Sequence, residues 1–356
     1  MLKDYFKPLA KSLEPDTPVG NYGGYFQEFP DIQEGTIVLF SLEENAQIFR
    51  ERLYGLAWKF GETSWCDLGI LKHKKTKENM AAGLKEVLHE LYKKGCFPII
   101  IGGDFDLSKT IYSAYSEIKK EIEYCKIAPG LELKAGNPLY DIILSKPNNL
   151  FNFTLLGHQS YYVPESTEKQ LNELLFDTCR LGALRNSIFN AEPAMRNSHL
   201  LSMDMTAIRE AEYPATSSMK PNGLYAEEAC QLMRFAGLSC NLETLYLHNI
   251  GDLEKRPISG ELLAQCIWFF LHGREERIYD IPDKDSDNFT TYRNTISNGA
   301  HEIVFLKSNH TERWWMEIPN PRTSKAFYVA CTYNDFLKVS NDEMPDTWWK
   351  FYQKVM

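Results

Sequence analysis

No stretch of this chain approaches the roughly 20 continuous apolar residues that a membrane-spanning helix needs; residues 262–271 form an apolar run of only half that length. Residues 1–30 lack a basic start followed by an apolar core and a small-residue cleavage site, so no signal peptide is expected, and Leu2 after Met1 excludes an amino-terminal lipidated cysteine. Neither Gly-x-Gly-x-x-Gly nor Gly-x-x-x-x-Gly-Lys-Ser/Thr occurs, which removes the Rossmann fingerprint and the P-loop. Basic side chains are not concentrated. The net charge is -9, from 39 basic and 48 acidic residues, and basic residues form only short runs such as Lys72, Lys74, Lys75 and Lys77. A duplex-binding surface needs a dense positive footprint, so nucleic acid is not an expected partner. Paired cysteines are missing too. Cys66, Cys96, Cys125, Cys179, Cys230, Cys240, Cys266 and Cys331 stand alone, several in apolar surroundings. That pattern implies buried free thiols in a reducing, cytoplasmic setting rather than a disulfide scaffold or a zinc site.

What is present is a chain of 356 residues, 44% hydrophobic, long enough for a large core in one domain with an appendage or in two domains. Thr36-Ile37-Val38-Leu39-Phe40 reads as a strand, and residues 44–58, with Ile48, Leu53 and Leu56 among charges, read as a surface helix. Residues 78–94 carry Met80, Leu84, Val87, Leu88 and Leu91 at helical spacing. Gly95 stops that helix, and Phe97-Pro98-Ile99-Ile100-Ile101 follows as a buried strand. Gly102-Gly103-Asp104 breaks the strand, and a helix restarts after Asp106, a candidate cap. Further strands are expected at 154–156, 200–204 and 242–247, with helices at 225–235 and 261–271. Such alternation predicts an α/β fold with a mainly parallel sheet covered on both faces, and ligands beyond the carboxyl ends of its strands.

The polar stretch 282–288 separates this body from a different carboxyl-terminal region, and a boundary near residue 280 is expected, with a domain over 1–280 and an extension over 281–356. The extension reads as three short strands at 302–306, 313–318 and 326–331 and an aromatic-rich helix at 346–355. Adjacent residues diverge on either kind of element, so Trp314-Trp315 and Trp348-Trp349 cannot all share one buried stripe. Two outcomes are open: the tail folds back on the body, or some of these rings anchor a protein partner or a second copy.

Two local motifs resemble the arginase, agmatinase and formimidoylglutamase family, the ureohydrolases, and formimidoylglutamases most. The first, Pro98-Ile99-Ile100-Ile101-Gly102-Gly103-Asp104-Phe105, resembles the family's apolar strand followed by Gly-Gly-Asp-His. The second runs Ser202-Met203-Asp204-Met205-Thr206, Tyr213-Pro214-Ala215-Thr216 and Pro221-Asn222-Gly223-Leu224. It resembles Ser-Phe-Asp-x-Asp, Ala-Pro-Gly-Thr and Pro-Gly-Gly-Leu in order and spacing. The likeness covers roughly residues 30–275 and implies a three-layer α/β/α ureohydrolase fold with an aromatic-rich extension. The family reaction is metal-assisted hydrolysis of a formimidoyl or guanidino carbon.

The same alignment implies that the metal site is degraded. Phe105 stands where the family has a ligand histidine, and Thr206 where it has the second aspartate; Asp204 keeps the first. The family's Asp-Ala-His-x-Asp falls best on Ala128-Pro129-Gly130-Leu131-Glu132, which keeps only Glu132. Asn249 falls near the glutamate that holds the guanidinium in arginases. A bridged metal pair needs carboxylates and histidines to hold the ions and activate water, so no cofactor and no family reaction are expected. The expected role is that of a noncatalytic structural or interaction protein, with a vestigial pocket around Asp104, Phe105, Glu132, His158, Asp204, Thr206 and Asn249 and a small-molecule ligand as a further partner. Two alternatives stay open: a divergent C–N hydrolase acting on a linear amidine or guanidino compound, and a small-molecule sensor. His158, after a strand, is the base candidate by position, but spacing pairs it with no nucleophile, and Cys125 and Cys230 lack a setting that would activate a thiol.

Overall fold

The computed structural model describes residues 2–15, 21–58, 61, 63–72, 76–218, 220–296, 301–323 and 325–356; Lys74 and Lys75 of the short basic run fall outside them. In the amino-terminal half, the elements are β1 (Phe6–Lys7), β2 (Asn21–Gly24), β3 (Ile37–Ser41), α1 (Gln47–Gly55), β4 (Ser64–Leu71), α2 (Lys77–Lys93), β5 (Phe97–Ile101), α3 (Leu107–Ser116), β6 (Ile122–Ile127), α4 (Pro138–Ile143), β7 (Leu150–His158), α5 (Glu165–Glu173) and β8 (Asp177–Arg180). There follow α6 (Leu181–Asn186), α7 (Glu192–Asn197), β9 (Leu200–Asp204), α8 (Ala226–Leu238), β10 (Thr244–His248) and α9 (Pro257–Glu275). The extension contributes β11 (Phe289–Ile296), β12 (His301–Ser308), β13 (Trp314–Asn320), β14 (Lys325–Cys331), α10 (Tyr333–Ser340) and α11 (Asp346–Val355).

Strands β1-β4-β3-β5-β10-β9-β6-β7-β8 line up in that order, with β2 beside β4; every neighbouring pair is parallel except β1 with β4. Every residue of β3, β5 and β10 is buried, as expected of strands covered on both faces. Alternate residues divide between two cores. Leu39, Ile99, Ile101, Met203 and Leu247 pack under α1, α8 and α9, whereas Val38, Phe40, Ile100 and Tyr246 pack under α2, α3 and α4. The result is a three-layer α/β/α body with an aromatic-rich carboxyl-terminal region. Among the described residues no helix is long and apolar enough to cross a membrane, and all eight cysteines are free.

Two strands that the hydrophobic pattern does not reveal are held by buried charge. β4 carries Asp67, whose carboxylate receives Arg50 of α1 through Nε at 2.7 Å and Nη2 at 3.1 Å, with both side chains fully buried. Tyr54 Oη, at 2.7 Å, and the backbone N–H of Gly69, at 2.8 Å, also donate to this carboxylate. Removing one partner of such a pair strands the other charge and costs about 3–5 kcal/mol. The second strand, β6, carries Glu123 and Lys126 within Ile-Glu-Tyr-Cys-Lys-Ile. Asp106 holds the cap position of α3 but makes no side-chain cap; its carboxylate is drawn to Lys77 at 3.1 Å, beside Asp104 at 2.7 Å.

Among its described residues the extension has four strands rather than three, in the antiparallel order β11-β12-β13-β14. β11, at the sheet edge, escapes the hydrophobic pattern because Thr290, Thr291, Arg293 and Thr295 are exposed and its half-buried face carries Asn294 between Tyr292 and Ile296. The expectation that tryptophans serve as partner anchors needs correction for three of the four. Trp314, Trp315 and Trp348 are buried within the chain, and only Trp349 is exposed, at 41%. Trp314 packs on Tyr292 and Phe336, Trp315 stacks on the Arg196 guanidinium at 4.3 Å, and Trp348 donates Nε1–H to the Glu317 carbonyl at 3.0 Å. The tail folds back because these rings find apolar and cationic partners in cis. Arg196 of α7 also donates to the carbonyls of Trp314 and Cys331, and Lys350 of α11 pairs with Asp177 of β8 at 2.9 Å.

Where α11 meets the sheet, burial pushes the Glu123 carboxyl up to about 8 against the opposing charge of Lys354. Unfolded, this group releases its proton near 4.5. The folded chain therefore binds more protons between about pH 4.5 and about pH 8, and the stabilisation from this group, full below that window, is lost as pH rises through it. Glu123→Gln is expected to flatten the decline of the urea midpoint between about pH 5 and about pH 8; an unchanged slope would assign the decline elsewhere.

Candidate functional site

The carboxyl ends of β5, β10, β9 and β6 lie side by side. Leu247 pairs with Ile101 and with Met203, and His248 pairs with Asp204 one residue further. The chain leaves β5 through Gly102 and Gly103, both at positive φ, +95° and +76°, where a side chain would be strained. This turn is bolted to β10: Gly102 N–H donates to the Leu247 carbonyl at 2.9 Å, Asn249 N–H to the Gly103 carbonyl at 2.8 Å, and Tyr246 Oη to the Asp104 carbonyl at 2.6 Å. Gly103 N–H also reaches Glu43 Oε1 at 2.5 Å. Burial raises the Glu43 pKa, and that backbone bond opposes the rise.

Over this edge opens a cavity of about 720 Å³, whose lining includes Glu43, Gly130, Tyr162, Asp204, Thr206 and Asn249. Thr216, Ser217, Ser218 and Lys220 complete its polar wall, with Lys220 Nζ donating to Ser218 Oγ at 2.6 Å. Asp204 Oδ1 accepts the Thr206 N–H at 2.9 Å and the Thr206 hydroxyl at 2.7 Å. Asp204, Thr206 and Asn249 thus share one pocket. The grouping needs correction for the other four residues, which are outside its lining. Asp104 turns outward to Lys77, and Glu132 is exposed and pairs with Lys134 at 2.8 Å. Phe105 packs into the core beneath. His158 is buried at the end of β7 with Nδ1 unpartnered, and burial lowers its pKa. Among the described residues no hydroxyl lining the cavity is hydrogen-bonded to a histidine; Ser218 meets Lys220 and Thr206 meets Asp204.

Below Asp204 lies the group that sequence patterning missed. Lys126 of β6 is 2% exposed, with Nζ 3.3 Å from His248 Nε2 and 3.3 Å from the centroid of the Phe105 ring. His248 and Phe105 are stacked at 5.8 Å. A desolvated ammonium over an aromatic face gains about 2 kcal/mol or more. Burial pushes Lys126 down to about 7 while Asp204 pulls it up. Burial and the neighbouring Lys126 push His248 down to about 3. Burial acts to raise the Asp204 carboxyl, but His248, Lys126, Thr206 and Asn249 outweigh it and hold the group below its usual range. The available signal was a lysine between Cys125 and Ile127, two residues before the strand end.

No family model and no curated protein matches the sequence. In three dimensions the chain is similar to a Trypanosoma cruzi formiminoglutamase solved with Mn2+, at a TM-score of 0.64 and 16% identity over 71% of this chain and 97% of that one. It is also similar to the formimidoylglutamase of Bacillus subtilis, at 0.62 and 14% over 77% and 95%, and to a T. brucei arginase-like protein, at 0.58 and 15% over 72% and 92%. The fold is arginase-like. Identities this low carry the architecture and not the activity.

The arginase-like strand edge does not fit a metal pair in this chain. Among the described residues no three His, Cys, Asp or Glu side chains converge to hold a metal ion. Phe105 offers no lone pair, and the Thr206 hydroxyl is spent on Asp204. At Gly130, a Cβ would lie 2.3 Å from the Tyr162 carbonyl oxygen and 2.5 Å from its Cβ, so the loop after β7 fills the space a ligand side chain would need. That loop is tied down where Gln159 N–H donates to the Pro129 carbonyl at 2.8 Å. Gly130→Ala is expected to lower stability by about 1–3 kcal/mol through overpacking, and Gly130→His by more, read from urea unfolding. A histidine variant as stable as the parent would show that the loop yields readily.

Proposed function

We propose that this chain is a noncatalytic protein of arginase-like fold that works by binding, with a retained pocket for a small polar ligand and a surface for another protein chain. The observation that carries this reading is the strand edge itself: Phe105 and Thr206 stand at positions where the resemblance implies metal ligands, and the Tyr162 backbone fills the space beside Gly130. The polar cavity above Asp204 supports the ligand half of the proposal, because it persists although the donors for chemistry are gone. After loading with Mn2+, the protein is expected to retain no bridged metal pair and to form no product from arginine, agmatine or formimidoylglutamate above a protein-free control. Two tightly bound ions with robust product release would instead make it a divergent C–N hydrolase.

The chain divides, in this reading, into a body over 1–280 and an extension over 281–356, with the contact surface at their junction. A cleft of about 930 Å³ there is lined by residues that include Phe189, Ile278 and Tyr333, with exposures of 66%, 49% and 53%. Large apolar side chains left open around charged Arg313 and Glu276 suit a partner's buried anchors and polar rim. Light scattering and native-source pull-down of the full chain should reveal an assembly that Phe189→Asp with Tyr333→Asp abolishes while the circular dichroism of the body is unchanged. Assembly and partner recovery unaffected by the pair would remove the cleft from consideration.

A further inference from the structure

We infer that the cleft between α7, α8 and α10 receives an acidic segment of the partner chain, one that sets a carboxylate on Arg313 with an apolar side chain to either side. The inference rests on the contact-surface reading above and adds the chemistry of what is bound. Its first support is the charge balance of the cleft floor. Glu192 of α7 lies between two guanidinium groups, with Oε2 3.2 Å from Arg196 Nη2 and Oε1 3.2 Å from Arg313 Nε. One carboxylate therefore answers two cations. Asp280 does not make up the difference, because its carboxylate accepts the Thr311 hydroxyl and, among the described residues, forms no ion pair with either guanidinium. At the rim the charges cancel, Lys307 against Glu312 at 3.2 Å and Arg234 against Glu276.

The surplus charge can be reached at one of the two groups. Arg196 is buried, with Nη2 donating to the carbonyls of Trp314 and Cys331 and with Nε and Nη1 lacking a hydrogen-bond partner. It contributes field rather than contact. Arg313 lines the cleft with 15% of its side chain exposed, turns Nε to Glu192 and Nη1 to the Leu238 carbonyl at 3.4 Å, and leaves Nη2 without an acceptor among the described residues. A carboxylate reaching Nη2 gains a charge-assisted bond in surroundings that screen less than water does. The walls beside it are aromatic. On the extension, the Trp314 ring lies 4.9 Å from Phe336, which lies 5.9 Å from Tyr333; on the body, Phe189 meets Phe235 at 5.7 Å. An acidic residue with apolar neighbours finds cover for those neighbours and a cation for its charge, whereas a basic segment meets repulsion and a neutral one leaves Arg313 unanswered.

Calorimetric titration of the full-length protein with acetyl-Phe-Glu-Phe-amide and with its glutamine counterpart tests this directly. The glutamate peptide is expected to bind at least about tenfold more tightly at low salt, a preference that falls towards parity in about 0.5 M salt. Arg313→Met should abolish the preference and Arg313→Lys should keep part of it. If Arg313→Met does not fold, the peptide comparison and its salt dependence in the wild-type protein decide alone. Equal binding of the two peptides overturns the inference, as does binding of neither at millimolar concentration or a preference that survives Arg313→Met. Whether Phe189→Asp with Tyr333→Asp abolishes assembly is read without either peptide, so the contact-surface reading can stand where the acidic anchor fails.

Discussion

A lysine drawn inside a sheet depends on what surrounds its amino group, and Lys126 Nζ lies 3.3 Å from His248 Nε2 and 3.3 Å from the centroid of the Phe105 ring. Asp204 closes β9, Lys126 rises from the neighbouring β6, and His248 and Phe105 flank its amino group. The Gly102–Gly103 turn is tied to β10 by backbone bonds and by the Tyr246 hydroxyl, the cavity wall mixes hydroxyls and an amide with Glu43, Asp204 and Lys220, and the loop carrying Tyr162 sits against Gly130.

At the far side of the sheet, Arg50 and Asp67 join α1 to β4. A buried pair of this kind is weak as a source of stability but strongly selective, because a shifted register would leave both charges alone. Between this pair and the Lys126 cluster lie β3, β5, β10 and β9, whose side chains are mainly apolar. The polar residues inside the strands therefore do work that the apolar ones cannot.

They are also the residues that sequence patterning handles worst. β3, β5, β9 and β10 were legible as short apolar runs, and α2 as a helix of correctly spaced leucines, because burial on both faces or one stripe writes itself directly into composition. β4 and β6 were not, since Asp67, Glu123 and Lys126 interrupt the pattern and become tolerable only through partners distant in the chain. The same limit governed the site. Asp204, Thr206 and Asn249 could be brought together by motif order alone, but Glu132 could not be known to turn away to Lys134, nor Asp104 to Lys77. Adjacent tryptophans announced that one stripe could not hold them all; only the folded extension, with Arg196 under Trp315 and the Glu317 carbonyl at Trp348, shows that two separate layers take them in.

The occupancy of the space beside Gly130 bears on which substitutions this chain can accept. Each single substitution that would add a metal-ligating side chain here meets its own obstacle: a larger side chain at 130 collides with Tyr162, an aspartate at 206 adds a second carboxylate beside Asp204, and a histidine at 105 replaces the phenyl ring that faces Lys126. The obstacles lie on different elements, so removing one does not lower the others. The space beside Gly130 thus restricts what can stand there independently of the residues at 105 and 206.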